Sequence, residues 1–238
     1  MNNSLIQTIK SNIQAWNDVR NTNLALPFLT SGYGICLKYQ DYQNWKANSP
    51  QNIHCYIGIN ELELEFYMVD NVTDNQENYQ LGNNLLIKPF IRRINPNSLP
   101  PGSTGFSPIH FVNNGISSQE AETRVMQWIL SSQSWFQDQR NKLNSSNPGL
   151  GIVQVFTIPF SDLEELFDNN SNSNNQLDVY AMMALKDYGG NHDYNLELIL
   201  AHVEQFNNPT PSNVKVFQDV TQPHPPFSLA GSGFKLLS

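Results

Sequence analysis

The first half of the chain changes from a helical to a strand-like hydrophobic period. Residues 4–20 are predicted to form a helix, because apolar side chains recur there every three or four positions and share one face, namely Leu5, Ile9, Ile13 and Trp16. Apolar runs between Asn, Gly and Pro clusters then predict four strands, with a short helical turn at 42–46 after the first. The strands cover residues 33–39, 53–59, 62–69 and 85–94. Asn60 and Glu61 leave no room for a crossover, so the second and third strands are predicted to form an antiparallel hairpin. Pro89 predicts an edge or a bulge in the fourth strand.

The second half begins with the strongest helical pattern of the chain. Ser117 and Glu120 have the spacing of a capping box, and a stripe with helical period follows to about residue 143. The stripe contains Ala121, Val125, Trp128, Ile129, Ser132, Trp135 and Phe136. A second capping box, Ser161 with Glu164, predicts a short helix to about Phe167. Strands are predicted over residues 151–158, 178–186, 194–203 and 214–220, with an Asn/Ser loop at 168–176.

Both halves therefore show the same order of helix, strand, short helix and three-stranded antiparallel meander. Three motif pairs recur in this order: Gly32 to Ile35 with Gly149 to Ile152, Tyr56 to Asn60 with Tyr180 to Ala184, and Pro96 to Phe106 with Pro225 to Phe234. We predict an α+β fold built from a duplicated unit. Residues 1–106 would form the first unit, 107–116 a linker and 117–238 the second unit.

The same motifs resemble an uncharacterised family of small bacterial proteins. The resemblance rests on the Gly-x-Gly-Ile strand, the Tyr-x-Gly-Ile-Asn hairpin and the Pro-rich tail around Pro223 to Phe227, and it covers both halves. It implies a fold and no mechanism, because no activity is assigned to that family. Its tail often carries cysteines around the prolines, whereas this chain has His224 and Phe227 there. No metal-binding or redox role is therefore carried over.

Charge and composition exclude several classes of function. The formal net charge is −8, and the longest basic run is Arg92-Arg93, so a nucleic-acid partner is not expected. No signal-peptide pattern and no membrane-length apolar run are present, which predicts a soluble, cytoplasmic protein. Asn and Gln number 32 and 17. A solvated amide surface is the simpler interpretation, and an amide surface that binds a sugar or a peptide is the alternative.

The densest group of potential metal ligands is His192, Asp193, His202 and Glu204. A zinc site needs three or four converging ligands, and a solvated loop histidine is the favoured interpretation, so no metal and no cofactor are predicted. Glu61, Glu63 and Glu65 alternate along one strand and share a face opposite Leu62, Leu64 and Phe66. We predict that this face is solvated and pairs with Lys88, Arg92 and Arg93.

The remaining candidates show no catalytic spacing. His110 lies in the linker and His54 in a strand, without a Gly-x-Ser-x-Gly motif or a recognisable Ser/His/Asp set. Gly102 to Gly105 lacks the lysine of a phosphate loop and is predicted to be a turn. Cys36 and Cys55 are matched by Val153 and Val179 in the second half, which predicts small core residues, and Trp128 and Trp135 are also predicted to be core.

Two functional hypotheses follow from these patterns. The first is a non-enzymatic binding or interaction protein, with an unidentified protein or small-molecule ligand in a groove between the two halves. The alternative is a small hydrolase with a site at the junction of the halves, using His192, Asp193 and nearby carboxylates. Ligand identity, biological process and oligomeric state do not follow from the sequence.

Overall fold

The chain has an α+β fold with antiparallel sheets, as predicted. A computed structural model describes residues 3–75, 84–92, 116, 118–143, 151–168, 178–187, 194–202, 217–219, 222–224 and 234–237. Its helices are α1 (Asn3–Val19), α2 (Ala25–Leu29), α3 (Tyr39–Lys46), α4 (Asn71–Asp74), α5 (Ser118–Leu143) and α6 (Phe160–Asp168), with a 3-10 turn at Lys235–Leu237. The long helices α1 and α5 confirm the two strongest helical predictions. The short helices α2 and α4 have no hydrophobic period and were not predicted.

Ten strands are described, and they form two five-stranded sheets. They are β1 (Gly32–Leu37), β2 (Asn52–Asn60), β3 (Glu63–Asp70), β4 (Leu85–Pro89), β5 (Ile91–Arg92), β6 (Val155–Pro159), β7 (Val179–Asp187), β8 (Tyr194–His202), β9 (Phe217–Asp219) and β10 (Gln222–His224). One sheet has the order β5-β1-β7-β8-β9 and the other β10-β6-β2-β3-β4. Each half supplies a three-stranded meander, β2-β3-β4 or β7-β8-β9, as predicted.

The two halves exchange one strand with each other. β1 pairs antiparallel with β7 in the second half, and β6 pairs antiparallel with β2 in the first half. The strands β1 to β5 of the first half correspond in order to β6 to β10 of the second. When each strand is replaced by its counterpart, the order of the first sheet becomes that of the second. The predicted division into residues 1–106 and 117–238 is therefore not a division into two sheets, because each sheet contains strands from both halves.

The two sheets pack face to face, and the long helices cover their outer faces. The central core lies between the sheets and includes Ile35, Ile57, Phe66, Phe156 and Leu198. On the outside, Ile9 and Ile13 of α1 pack on Tyr56 and Tyr67. In the same way, Ala121 and Val125 of α5 pack on Met182 and Ile199. The predicted core positions Cys55, Trp128 and Trp135 are buried, while Cys36 is partly exposed.

The prediction of a strand from residue 151 was wrong at its beginning, because β6 begins only at Val155. Side chains of α1 and of the turn after it form hydrogen bonds with the backbone of the residues just before β6. The indole Nε1 of Trp16 donates to the carbonyl of Val153 at 2.9 Å, and Arg20 donates to the carbonyl of Ile152. The amide of Ile152 donates to the Asn21 side chain at 3.0 Å. These groups are satisfied without a neighbouring strand, so no ladder forms there.

The β2–β3 hairpin was predicted correctly, but its turn was not. Asn60 pairs with Glu63, so Glu61 and Leu62 form the turn, and Leu62 is 82% exposed instead of lying with Leu64 on the buried face. The predicted fourth strand is divided into β4 and β5 after Pro89, and β4 lies at the edge of its sheet, as the proline indicated. Among the described helices, none is long and apolar enough to cross a membrane.

Candidate functional site

Most of the group of potential metal ligands named from the sequence lies outside the described residues. His192, Asp193, Glu204, His110 and residues 102–105 lie outside the described residues, as does Ser117 of the predicted capping box. His202 ends β8. Among the described residues, no group of three or more His, Cys, Asp or Glu side chains could hold a metal ion.

The alternating glutamates are placed largely as predicted; of their three predicted cations, the side chains of Arg92 and Arg93 lie outside the described residues, and Lys88 pairs elsewhere. Glu61 and Glu63 are exposed, and Glu65 is partly exposed and accepts a hydrogen bond from the Tyr67 hydroxyl at 2.7 Å. Lys88 forms an ion pair with Asp41 at the start of α3 instead of with this face. The three carboxylates therefore form no convergent acid–base site.

The most distinctive polar cluster lies on the outer face of β2 and was not predicted as a set. It consists of His54, Tyr56 and Asp74, which we call the His54 cluster. His54 and Tyr56 are two positions apart on β2 and so point to the same face. Asp74 is the last residue of α4, the helix that follows β3. All three side chains are buried, and Asp74 has no exposed surface.

Asp74 orients the histidine ring. Oδ2 of Asp74 lies 2.5 Å from Nδ1 of His54, and the Tyr56 hydroxyl donates to the same oxygen. Because a carboxylate oxygen is an acceptor, Nδ1 carries the proton in this bond, and the neutral ring then has its lone pair on Nε2. The two ring nitrogens point in roughly opposite directions, so Nε2 faces away from α4. Nε2 makes no hydrogen bond within the described part of the chain.

The position of α4 depends on a second buried carboxylate. Asp70 caps this helix: its Oδ1 accepts from the Thr73 amide at 2.8 Å, and its Oδ2 accepts from the Thr73 hydroxyl at 2.7 Å. Asn48 also donates to Oδ2 of Asp70 at 3.2 Å. This cap fixes the direction of the single helical turn and thereby brings Asp74 back over β2.

The strand beside His54 supplies a hydroxyl from the other half of the chain. Thr157 of β6 is directly opposite His54 in the antiparallel pair, so both side chains lie on the same face. The Thr157 Oγ1 atom is buried and has no hydrogen-bond partner in the part of the chain that the structure describes. The His54 cluster and Thr157 together form a site to which both halves contribute.

An aromatic residue close to the C-terminal end covers this site. The Phe234 ring lies 4.6 Å from the His54 ring and 6.1 Å from the Tyr56 ring, measured between centroids. Helix α1 crosses β2 at Gly58, where an added Cβ would lie 3.0 Å from the Asn12 backbone. His54 is about 13 Å from Gly58 along β2. At that point the segment with Phe234 and the buried Leu236, instead of α1, packs on the outer face of the sheet. His54 retains 8% of its side-chain surface exposed.

One other polar cluster joins two short helices at the surface. Asp168 at the end of α6 accepts from the Tyr42 hydroxyl at 2.7 Å and pairs with Lys46 at 2.7 Å, which joins α6 to α3. Burial raises the pKa of Tyr42 to about 12. Burial also raises the pKa of both thiols, Cys36 and Cys55, which makes neither a nucleophile at neutral pH.

Only part of this site could be recognised from the sequence. A histidine within an apolar strand was visible at position 54, but its partner lies 20 residues away in a helical turn without hydrophobic period. The Asp-x-x-Thr spacing of Asp70 and Thr73 is a capping pattern that could have indicated the turn. Thr157 could not be found in this way, because its proximity to His54 depends on the strand exchange.

Comparison of the chain with protein-family models, curated proteins and solved structures returned no match. An imidazole with Nδ1 held by a buried carboxylate can accept a hydrogen bond or a proton at Nε2. The neighbouring Thr157 hydroxyl can donate or accept.

Proposed function

We propose that this chain is a binding protein for a small hydroxyl-bearing or amide-bearing molecule, and that the His54 cluster forms its site. The observation that carries the proposal is the bond between Asp74 and Nδ1 of His54, which leaves Nε2 as an acceptor. Buried polar groups are normally satisfied, and Thr157 Oγ1 on this face is buried without a hydrogen-bond partner in the described part of the chain. His54 Nε2 beside it also makes no hydrogen bond there. A ligand hydroxyl or amide could satisfy both.

The proposed site combines residues of both halves, while the linker that was expected to cross the predicted groove lies outside the described residues. The space between the two sheets is filled by the apolar core, so a ligand has to approach from the outer face. There the cover nearest to His54 is Phe234. We infer that the segment around Phe234 moves when the ligand enters, because the Thr157 hydroxyl is otherwise inaccessible.

Acid–base hydrolysis is the second candidate function, and it is favoured by the same Asp74–His54 bond. A histidine held by a carboxylate is the arrangement with which hydrolases take a proton from water or from a hydroxyl. In this reaction His54 would be the base, and Asp74 would stabilise the imidazolium that forms. The hydrolase site predicted from the sequence used His192 and Asp193 instead, which lie outside the described residues.

The test is an NMR titration of the His54 ring with a panel of small alcohols, diols, sugars and primary amides. His54→Gln assigns the ring signal among the five histidines, and His224→Gln, on β10 of the same sheet, is the matched control. We expect one class of compounds to shift the His54 signal in the wild type and in His224→Gln, and to lose most of its affinity in Thr157→Val. A His54 signal that responds to no compound would contradict the proposal.

Ester hydrolysis separates the two candidates. Turnover of p-nitrophenyl acetate that survives in His224→Gln but is lost in both His54→Gln and Asp74→Asn would favour a hydrolase. Binding without turnover would favour a binding protein.

We further propose that the chain is an internal duplication, as the repeated motifs predict. This inference is supported by the reciprocal strand order of the two sheets and by the common arrangement of a long helix over each outer face. Both halves also have a short helix between two strands. Helix α3 lies between β1 and β2, and α6 lies between β6 and β7.

A further inference from the structure

Helices α3 and α6 occupy the same place in their halves and begin in the same way. Each follows a strand, and each has an aspartate as its third residue, Asp41 in α3 and Asp162 in α6. Asp41 accepts a hydrogen bond from the backbone amide of Lys38, the residue before the helix, at 2.7 Å. Asp41 also pairs with the ammonium group of Lys88 on β4. This carboxylate therefore has both a cap partner and a counter-ion.

Asp162 has lost both partners through two sequence differences. The residue before α6 is Pro159, which has no backbone N–H to donate. Lys88 lies opposite Phe66 in its sheet, and the matching position, opposite Leu200 on β9, is the neutral Gln218. The residue is only 8% exposed, and its buried Oδ2 atom has no hydrogen-bond partner among the described residues. Its Oδ1 atom accepts only a long bond, 3.3 Å, from the adjacent Ser161.

The elements packed against α6 supply no cation to Asp162. On α3, Lys46 and Tyr42 are held by Asp168 at the far end of α6. On β2, His54 is bonded to Asp74, and β6 carries no ionisable side chain. On α6 itself, the charge that acts on Asp162 is that of Glu165, which is of the same sign.

We propose that the first turn of α6 is a pH-responsive element, packed on the core while Asp162 is protonated and loosened when Asp162 ionises. A neutral carboxyl group can remain buried at moderate cost, whereas a buried carboxylate without a counter-ion cannot. In agreement with this, burial raises the pKa of Asp162 to about 6. The matching turn of α3 does not respond in this way, because Asp41 keeps its lysine and its amide.

The sign of the pH dependence follows from linkage. The pKa of Asp162 is higher in the folded protein, about 6, than its ordinary value of 3.8, so the folded state holds the proton more tightly. The stability associated with this proton is fully present at acidic pH and decreases as the pH rises from about 4 to about 6. Above that range the unfavourable contribution is constant.

The first test compares the melting temperatures of the full chain and of two isosteric variants between pH 4.5 and pH 8. Asp162→Asn should melt about 5 °C above the wild type at pH 8 and only slightly above it at pH 4.5. Asp41→Asn is the matched control and should melt below the wild type at pH 8, because Lys88 loses its partner. Equal pH dependence in the wild type and Asp162→Asn would overturn the proposal.

A second test restores the missing donor instead of removing the charge. Pro159→Ala supplies a backbone N–H that the Asp162 carboxylate can accept. At pH 8, we expect this substitution to raise the melting temperature of the wild type more than that of Asp162→Asn. At pH 4.5, the two increases should be equal. Amide hydrogen exchange of α6, corrected for the intrinsic rate at each pH, should also slow in Pro159→Ala at pH 8. If the effect of Pro159→Ala is the same in both backgrounds at pH 8, the proposal is wrong.

Discussion

Two glutamates at matching positions of the halves show how burial depends on the residues packed against them. Glu63 is exposed beside the β2–β3 turn, whereas Glu197 on β8 is only 3% exposed. The carboxylate of Glu197 accepts from the Arg124 guanidinium of α5 at 3.0 and 3.3 Å. Arg124 also reaches Glu120 one turn earlier. The local sequence around the two glutamates does not show that α5 covers only the second, because α5 is distant from both in the chain.

Breaking this buried pair should be costly. Arg124→Met leaves the Glu197 carboxylate buried without its cation, and we expect the free energy of unfolding to fall by roughly 3–5 kcal/mol. Chemical denaturation measures this value. The control Glu63→Gln should lie within about 0.5 kcal/mol of the wild type, because that residue is exposed.

The double variant Arg124→Met/Glu197→Gln identifies the cause of the loss. Removing the charge together with its partner should recover part of the stability. If Arg124→Met alone is nearly neutral, the pair is not desolvated, and the description of α5 as closely packed on β8 is wrong.

At the scale of elements, the hairpin between β2 and β3 carries a local strain that its hydrophobic pattern does not reveal. The pattern predicted the two strands and their antiparallel pairing, because Leu64, Phe66 and Met68 alternate. It placed Leu62 with them, whereas Leu62 lies in the turn. The preceding residue, Glu61, has a positive φ of 55°. Glycine adopts this conformation without the steric cost that a Cβ imposes.

Glu61→Gly should therefore stabilise the hairpin. We expect a gain of about 0.5–1 kcal/mol, because the relief of strain in a two-residue hairpin turn exceeds the added entropy of the unfolded chain. Leu62→Gly is the matched control: its φ is not positive, so it should give no gain. Thermal unfolding of both variants decides this, and a lower melting temperature for Glu61→Gly would contradict the expected relief.

The beginning of β6 shows the limit of pattern-based prediction for an element. Ile152 and Val153 are apolar and buried, as in a strand. Their backbone groups nevertheless bind Trp16, Arg20 and Asn21, which are more than 130 positions away in sequence. Burial raises the cost of the Arg20 charge and lowers its pKa to about 10. A hydrophobic run thus predicts burial, but the partner of its backbone is a tertiary property.

At the scale of the whole molecule, the exchanged strands make the two halves dependent on each other. Without the second half, β1 would lose β7, and without the first half, β6 would lose β2. Each of these strands belongs to the central core through residues such as Ile35 and Phe156. We therefore expect that neither half closes its core alone.

Separate production of residues 1–106 and 117–238 tests this dependence. We expect each fragment to lack a folded monomeric form, because its exchanged strand is unpaired, and a mixture of the two to give a folded 1:1 complex. Light scattering and the dispersion of NMR spectra are the measurements. If either fragment folds as a monomer, the halves are independent domains in the sense of the sequence prediction. A fragment that folds only as a homodimer would support the inferred duplication, because two copies could exchange strands in the same way.

The sequence by itself determined the order of the elements that have a hydrophobic period, the α+β class, the faces of α1 and α5, and the burial of Trp128. These properties depend on residues that are close together in the chain, whose period and turn chemistry record the local backbone. Only the tertiary structure decided which strands pair across the halves. It also decided that Asp74 and Thr157 meet His54, and that Asp41 has partners where Asp162 has none. Such contacts join residues that are distant in sequence, and the pattern around each residue carries no information about a partner that the fold alone brings near.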